Sequence, residues 1–412
     1  MADGNSSATP AGPRKAAMAF ILVTLTLDVL ALGVIIPVLP RLILEFQGGN
    51  MQDATIYGAY ISTAFAVMQF VFQPVLGALS DRYGRRPVLL FSMTGLGIDY
   101  IIMALAPNMW WLLIGRITSG VAAATFSTAS AYVADVTPPS GRAQAFGMMG
   151  AAFGLGFVLG PLFGGWLGSF DPRLPFWVAA ALCLVNAAYG YFVLPESLPP
   201  ERRNPAAMPS FNLFGSVTYF ANHTTLAGIG IAQFFYHFAH AVYPAVWVLN
   251  TQHRFGWNEW MTGMSLAVTG VAGALVQGGL SGRAVKLLGE RRAMITGLSF
   301  GVAGMAMYAL APSTVWMFAA MPVVAIWGFY GAALQSYVTQ RVEPQEQGAL
   351  QGAFSGLMGL ASIFSPFVYS YLFAWSIGEG FPAWLAGAPF LLAATLLAVG
   401  LVFIVRATAP AR

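Results

Sequence analysis

The sequence is poor in charge. Of 412 residues only 8% are Asp, Glu, Lys or Arg, against roughly 25% in soluble globular domains. So little charge cannot cover the surface of a water-soluble body of this size, which excludes an ordinary soluble protein. Cysteine is nearly absent as well. Cys183 stands alone, so no intramolecular disulfide and no thiolate metal cluster can form. No Ser/His/Asp set, no metal-ligating cluster and no sizeable polar domain is legible. The chain is therefore expected to be no enzyme and to need neither metal nor cofactor.

What is abundant is apolar sequence, 58% of the residues, and it falls in blocks rather than stripes. Met18 to Pro40, Ile56 to Leu79 and Val88 to Ala106 each run about twenty residues, enough to cross about 30 Å of hydrocarbon. Similar blocks follow near 109–135, 145–168, 174–194, 225–249, 259–281, 294–311, 314–338, 350–374 and 384–405. An all-α integral membrane fold with about twelve spans follows. The first block is too long for a signal peptide's apolar region and contains Asp28, so it reads as a retained helix.

The net charge of +4 raises the question of a nucleic-acid partner, but its distribution answers it. With the N-terminus inside, the cytoplasmic segments hold Arg14, Lys15, Arg82, Arg85, Arg86, Arg142, Arg202, Arg203, Arg283, Lys286, Arg291, Arg292, Arg341, Arg406 and Arg412. Only Arg41, Arg173 and Arg254 fall outside, and Arg116 lies within a span. This is the positive-inside pattern of an even number of crossings, with both termini cytoplasmic. The basic balance reports topology, not nucleic acid.

The widest polar interval separates six spans from six. It defines a tail 1–17, a first bundle 18–194, a linker with its lead-in 195–224, a second bundle 225–406 and a tail 407–412. The two bundles repeat at an offset of 205 residues. Gly84 meets Gly289, Arg86 meets Arg291, Pro107 meets Pro312, Trp111 meets Trp316, Tyr132 meets Tyr337 and Pro161 meets Pro366. Two related six-helix halves are the plan of a transporter that rocks about a central site. The halves differ in charge: Asp99 corresponds to Gly304 and Arg116 to Met321.

Four features carry chemistry. The loop after the second span reads Gly77-Ala78-Leu79-Ser80-Asp81-Arg82-Tyr83-Gly84-Arg85-Arg86-Pro87, with glycines for a tight turn and Asp81 placed to cap an adjacent helix. The fifth span carries Gly156, Gly160, Pro161, Gly164 and Gly165, several of them four apart, so that a neighbouring helix can approach closely. Asp28 lies ten residues into the first span, about 15 Å deep and near the midplane, while Asp99 lies near the periplasmic third of the third span and Arg116 at a depth similar to that of Asp99 in the fourth. Charges at such depth cost several kcal/mol and usually mark a pathway or relay. His237 and His240 share one face of the seventh span, where they either line a cavity or hydrogen-bond a neighbour.

The loop resembles the signature loop of the major facilitator superfamily, and the resemblance implies that Arg85 pairs with Asp135 as part of a cytoplasmic latch. The run Gly156 to Gly165 resembles the antiporter motif of that superfamily's drug exporters. End to end the chain is similar to the tetracycline-resistance efflux pumps, through Leu27-Asp28, Gln69, Asp99-Tyr100, Gly115-Arg116-Ile117, Tyr132-Val133-Ala134-Asp135, Leu194-Pro195-Glu196-Ser197 and Gln347-Gly348. The resemblance implies proton-coupled antiport of a drug-like small molecule, tetracycline first among candidates, across a bacterial inner membrane. It assigns the proton and substrate pathway to Asp28, Gln69, Asp99, Arg116, His237 and Gln277, with the proton gradient as energy source and a monomer as the working unit. A sugar or metabolite facilitator of the same fold is the alternative. Two departures stand out: the eighth span has no His between Gly270 and Gln277, and the ninth has no acid between Met294 and Ala311.

Overall fold

A computed structural model of the protein describes residues 12–123, 125–138, 141–206, 215–343 and 346–409. Residues 1–11 and 410–412 of the expected tails and 207–214 of the linker lie outside them, as do the side chains of Arg14 and Lys15. The described residues contain helices and no strand.

In the first half α1 (Gly12–Ile35) and the short α2 (Leu39–Phe46) make one crossing, and α3 (Met51–Tyr83) and α4 (Arg85–Ala104) the next two. The fourth is split between α5 (Met109–Ala122) and α6 (Thr125–Val136), followed by α7 (Arg142–Gly168) and α8 (Leu174–Val193). After α9 (Gly215–Asn222), the second half begins with α10 (Thr224–His240) and α11 (Val242–Phe255). Then come α12 (Glu259–Leu275) with α13 (Ser281–Leu288), α14 (Glu290–Leu310), α15 (Thr314–Ala325) with α16 (Phe329–Thr339), α17 (Gln347–Ser376) and α18 (Ala388–Ala407).

Among the described residues eleven helical stretches are long and apolar enough to cross a membrane. The twelfth crossing is the α10–α11 pair, which breaks at Ala241 into pieces of 17 and 14 residues. Pro244 explains the break, because it has no N–H to bond the His240 carbonyl one turn back. The protein is thus a multi-pass membrane protein of the expected class. Asn50, Asn108 and Asn258 start α3, α5 and α12 by accepting hydrogen bonds from backbone N–H groups of the first turn.

Each half packs in the same way: α1 against α7 matches α10 against α17, and α4 against α8 matches α14 against α18. The halves meet along two seams, α7 against α12 and α3 against α17. These seams exchange under the sequence repeat, since α7 corresponds to α17 and α3 to α12. The repeat of 205 residues is therefore also a repeat in space.

The seams are tight at one end only. Polar contacts between the halves are Arg41 to Glu259 at 2.7 Å, Gln52 Nε2 to the Ala374 carbonyl at 2.9 Å, the Tyr60 and Tyr371 hydroxyls at 2.9 Å, and Thr63 to the Ile363 carbonyl at 3.3 Å. All lie toward the end of the bundle away from the termini. Nearer the termini the same helices carry Gly147, Gly150 and Gly154 on α7 and Gly348 and Gly352 on α17, beside which a Cβ would meet nothing within 4 Å. The bundle is closed at its distal end and splayed at its terminal end.

Candidate transport site

The first half contains a buried polar cluster. Asp28 on α1 is buried and turned toward Thr125 at the start of α6, and its Oδ1 has no hydrogen-bond partner. Asp99 on α4 is fully buried, and neither carboxylate oxygen receives a hydrogen bond. Its nearest cation is Arg116 on α5, at 3.8 Å. That guanidinium points partly elsewhere, donating to the Met103 sulfur at 3.0 Å and lying 5.6 Å from the centre of the Phe65 ring. Gly115 makes room for this arrangement: a Cβ there would sit 2.6 Å from Asp99 Oδ1. Tyr100 and Cys183 lie within electrostatic reach of both carboxylates. Buried polar groups are nearly always hydrogen-bonded, so two buried carboxylates with few partners in one cluster make this the candidate site of the first half. Gln69 is half-buried on α3, with its backbone against Gly120 of α5.

The second half is polar without being charged at this depth. His237 is half-buried and shares a 3.0 Å hydrogen bond with Gln233, the residue that the repeat aligns with Asp28. His240 is exposed, and its ring lies 5.7 Å from Trp327 and 6.4 Å from Tyr236. Gln277 is exposed in a π-type turn, Val276–Leu280, that interrupts the eighth crossing. The structure thus gathers Asp28, Asp99 and Arg116 into one cluster and leaves His237 and Gln277 on the facing half.

At the terminal end the signature loop is held by its own half. Arg85 forms ion pairs with Asp81 at 2.5 Å and Asp135 at 3.2 Å, the latter as the family pattern implied. The expectation that Asp81 caps a helix is corrected: the start of α4 is capped by Glu196 from the linker. Its Oε1 accepts from the Arg85 N–H at 2.8 Å and its Oε2 from the Arg86 N–H at 3.3 Å. Asp81 is occupied by Arg85 one turn away, whereas Glu196 reaches the amides across the loop. Gly84 turns at φ +107°, as Gly289 does at φ +77° in the second copy, a conformation only glycine adopts cheaply. Arg86 donates to the Tyr191 carbonyl and lies over the Tyr191 ring, while the exposed Arg82 lies over Tyr83. Gly77 has open space beside it. In the second copy the Arg85–Asp135 pair becomes Glu290 accepting from Gln340 at 2.7 Å, the same two repeat positions with the ions replaced.

The α7 glycines pack on two sides. Gly156, Gly160 and Gly164 lie against the α1 backbone at Thr26 to Leu30, Gly33 and Val34, so a Cβ at any of them would overlap it. Gly165 and the Pro161 carbonyl face Glu259 and Gly263 of α12. One helix face therefore joins α7 to its own half and the other joins the halves.

The chain is 39% identical over 378 residues to the tetracycline resistance protein, class C, of Escherichia coli, covering 91% of this chain and 94% of that protein. It is 34% identical over 374 residues to the class H protein of Pasteurella multocida, covering 89% and 92%. The family model described as Major Facilitator Superfamily matches residues 21–366 and 229–412. The chain belongs to the Major Facilitator Superfamily. Its fold is also similar to that of a bacterial homolog of the human lysosomal transporter Spinster, with a TM-score of 0.75 at 17% identity, covering 97% of this chain and 98% of that one. Two residues in these contacts escaped the sequence reading: Glu196 stood in a quoted motif without a role, and Thr125 had no signal.

Proposed function

We propose that the protein is a proton-coupled efflux antiporter that exports a drug-like small molecule by alternating access, with tetracycline-class compounds first among candidates. The observation that carries this reading is the pair of buried carboxylates, Asp28 and Asp99, short of hydrogen bonds inside a bundle closed at one end and splayed at the other. A carboxylate at such depth without a cation beside it, as at Asp28, costs about 2.5–3.5 kcal/mol on insertion scales. That penalty falls when the group takes up a proton, so proton loading and the rocking of the halves are naturally linked. The names of the relatives supply the drug class.

In this reading the chain lies in a bacterial inner membrane with both termini in the cytoplasm, and the structure is the inward-open state. Asp28, Asp99 and Arg116 handle protons. Gln69, His237 and Gln277 line the path. The Asp81–Arg85–Asp135 set steadies the cytoplasmic end. One chain suffices, and the proton gradient is the energy source without a cofactor.

Inverted vesicles containing the protein, made acidic inside, are expected to accumulate labelled tetracycline and to release it when a protonophore collapses the gradient. Uptake that ignores the gradient, or uptake of a sugar instead, would contradict the reading.

A further inference from the structure

The internal repeat places an anion in the first half and leaves its counterpart out of the second. In the first half α4 starts after Gly84, and the Glu196 carboxylate sits on its first two N–H groups, 4.0 Å from Arg203. The second copy keeps the turn, since Gly289 at φ +77° precedes α14. Among the described residues no side chain caps the start of α14. Glu196 is the third residue beyond α8, and the third beyond α18 is Pro410. From Thr408 to Arg412 the sequence holds no acidic side chain.

At the position matching that carboxylate lies a recess of about 500 Å³. It opens between the start of α14, the end of α16 with Tyr337, and Thr408 just beyond α18. Three guanidinium side chains line it, those of Arg291, Arg292 and Arg341. One carboxylate, Glu290, lines it too, but it already accepts from Ser336 at 2.5 Å and Gln340 at 2.7 Å and lies 3.7 Å from Arg341. No described carboxylate forms an ion pair with Arg291 or Arg292, and Arg291 Nε is buried without an acceptor. Arg86, the repeat partner of Arg291, is by contrast held by the Tyr191 carbonyl and ring. The rim is apolar: Leu288 lines the recess and is 40% exposed, and Leu287 beside it is 84% exposed.

A cationic floor under an apolar rim, at the ends of membrane-spanning helices, fits a molecule with phosphate at one end and hydrocarbon at the other. Guanidinium groups bind phosphate through paired N–H donors, and a helix start favours an anion. Basic pockets between spans on the cytoplasmic side hold anionic headgroups for these reasons. We infer that this recess binds an organic phosphate, here the headgroup of an anionic phospholipid, with Arg291 and Arg292 on the phosphate. The lipid does for α14 what Glu196 does for α4. One half carries its anion in the chain, and the other takes it from the membrane. The leaflet that supplies the lipid follows from the cytoplasmic termini of the transport reading, but binding is measured without transport, so either reading can fail alone.

Native mass spectrometry of the delipidated, purified chain in neutral detergent tests the inference. Dioleoyl phosphatidylglycerol is titrated against dioleoyl phosphatidylcholine, which has the same acyl chains and no net charge. With about 1 kcal/mol for each arginine, the parent should prefer phosphatidylglycerol at least about tenfold. Arg291→Gln combined with Arg292→Gln should abolish the preference, and Arg292→Gln alone, at an exposed residue, should lower it about fivefold. Arg283→Gln combined with Lys286→Gln removes as much charge from the same end outside the recess, and should leave the preference within about twofold. A preference that survives in both Arg292 variants, or that falls equally in the Arg283 and Lys286 pair, would overturn the site. Glycerol 3-phosphate that displaces phosphatidylglycerol at equal concentration would make the ligand a soluble phosphate and overturn the lipid assignment.

Discussion

Removing Arg116 alone should be worse for the protein than removing Arg116 and Asp99 together. The two side chains lie 3.8 Å apart with exposures of only 10% and 0%. At an effective dielectric of about 20, unit charges at that separation attract by about 4 kcal/mol. The one hydroxyl close to Asp99 is that of Ser119, a neutral donor that cannot replace a cation. Arg116→Ala therefore strands a buried carboxylate and should destabilise by about 3–5 kcal/mol. Asp99→Asn leaves a guanidinium that still has the Met103 sulfur and the Phe65 face, and should lose about 1–3 kcal/mol. In the double variant neither charge is stranded, so its stability should lie between the parent and Arg116→Ala. Thermal unfolding of the four purified proteins in one detergent reads this cycle directly. A double variant whose loss is the sum of the single losses would mean that the two groups do not sense each other, and the ion-pair reasoning would fail.

Three further perturbations test other parts. Asp81→Asn removes a half-exposed partner of Arg85, so stability should change by less than about 1 kcal/mol while transport by well-inserted protein drops strongly; normal transport would remove the loop from the mechanism. Gly164→Val forces a branched side chain into the Val34 backbone and should cost at least about 1–3 kcal/mol, seen as a lower unfolding temperature, whereas Gly147→Val, with open space around it, should leave that temperature unchanged. Arg41→Ala breaks the ion pair to Glu259 that spans the halves at the distal end; because Arg41 is 44% exposed, the effect should be below about 1 kcal/mol, which is at most a fivefold shift toward distal opening, measured as faster thiol labelling of a Tyr371→Cys reporter.

Much of the architecture was legible because membrane burial writes itself into sequence. Long apolar blocks set the crossings, and the shared Trp, Pro, Arg and Tyr positions at an offset of 205 set the two halves. The spacing of Gly156, Gly160 and Gly164 announced a close helix pair, which is α7 on α1. Other features depend on contacts between distant residues. The cap on α4 comes from Glu196, 111 positions beyond Arg85, and nothing local distinguishes that glutamate from Asp81 as a candidate. The break after His240 had a local cause in Pro244, but a single proline inside an apolar block reads equally well as a tolerated kink. The meeting of His240, Gln277 and Trp327 needed three helices to be placed side by side, and only the first two of these residues stood out in sequence.

The measurement closest to the central claim is drug-driven proton movement in proteoliposomes holding the purified protein and a pH-sensitive dye. Adding tetracycline to one side should move protons toward that side, the reverse of the drug's own flow. Asp28→Asn should abolish the dye response in protein that still elutes as a folded species, while His237→Gln should only weaken it. Protons that keep moving at the parental rate through Asp28→Asn would contradict the account, because exchange would then run without the midplane carboxylate on which it depends.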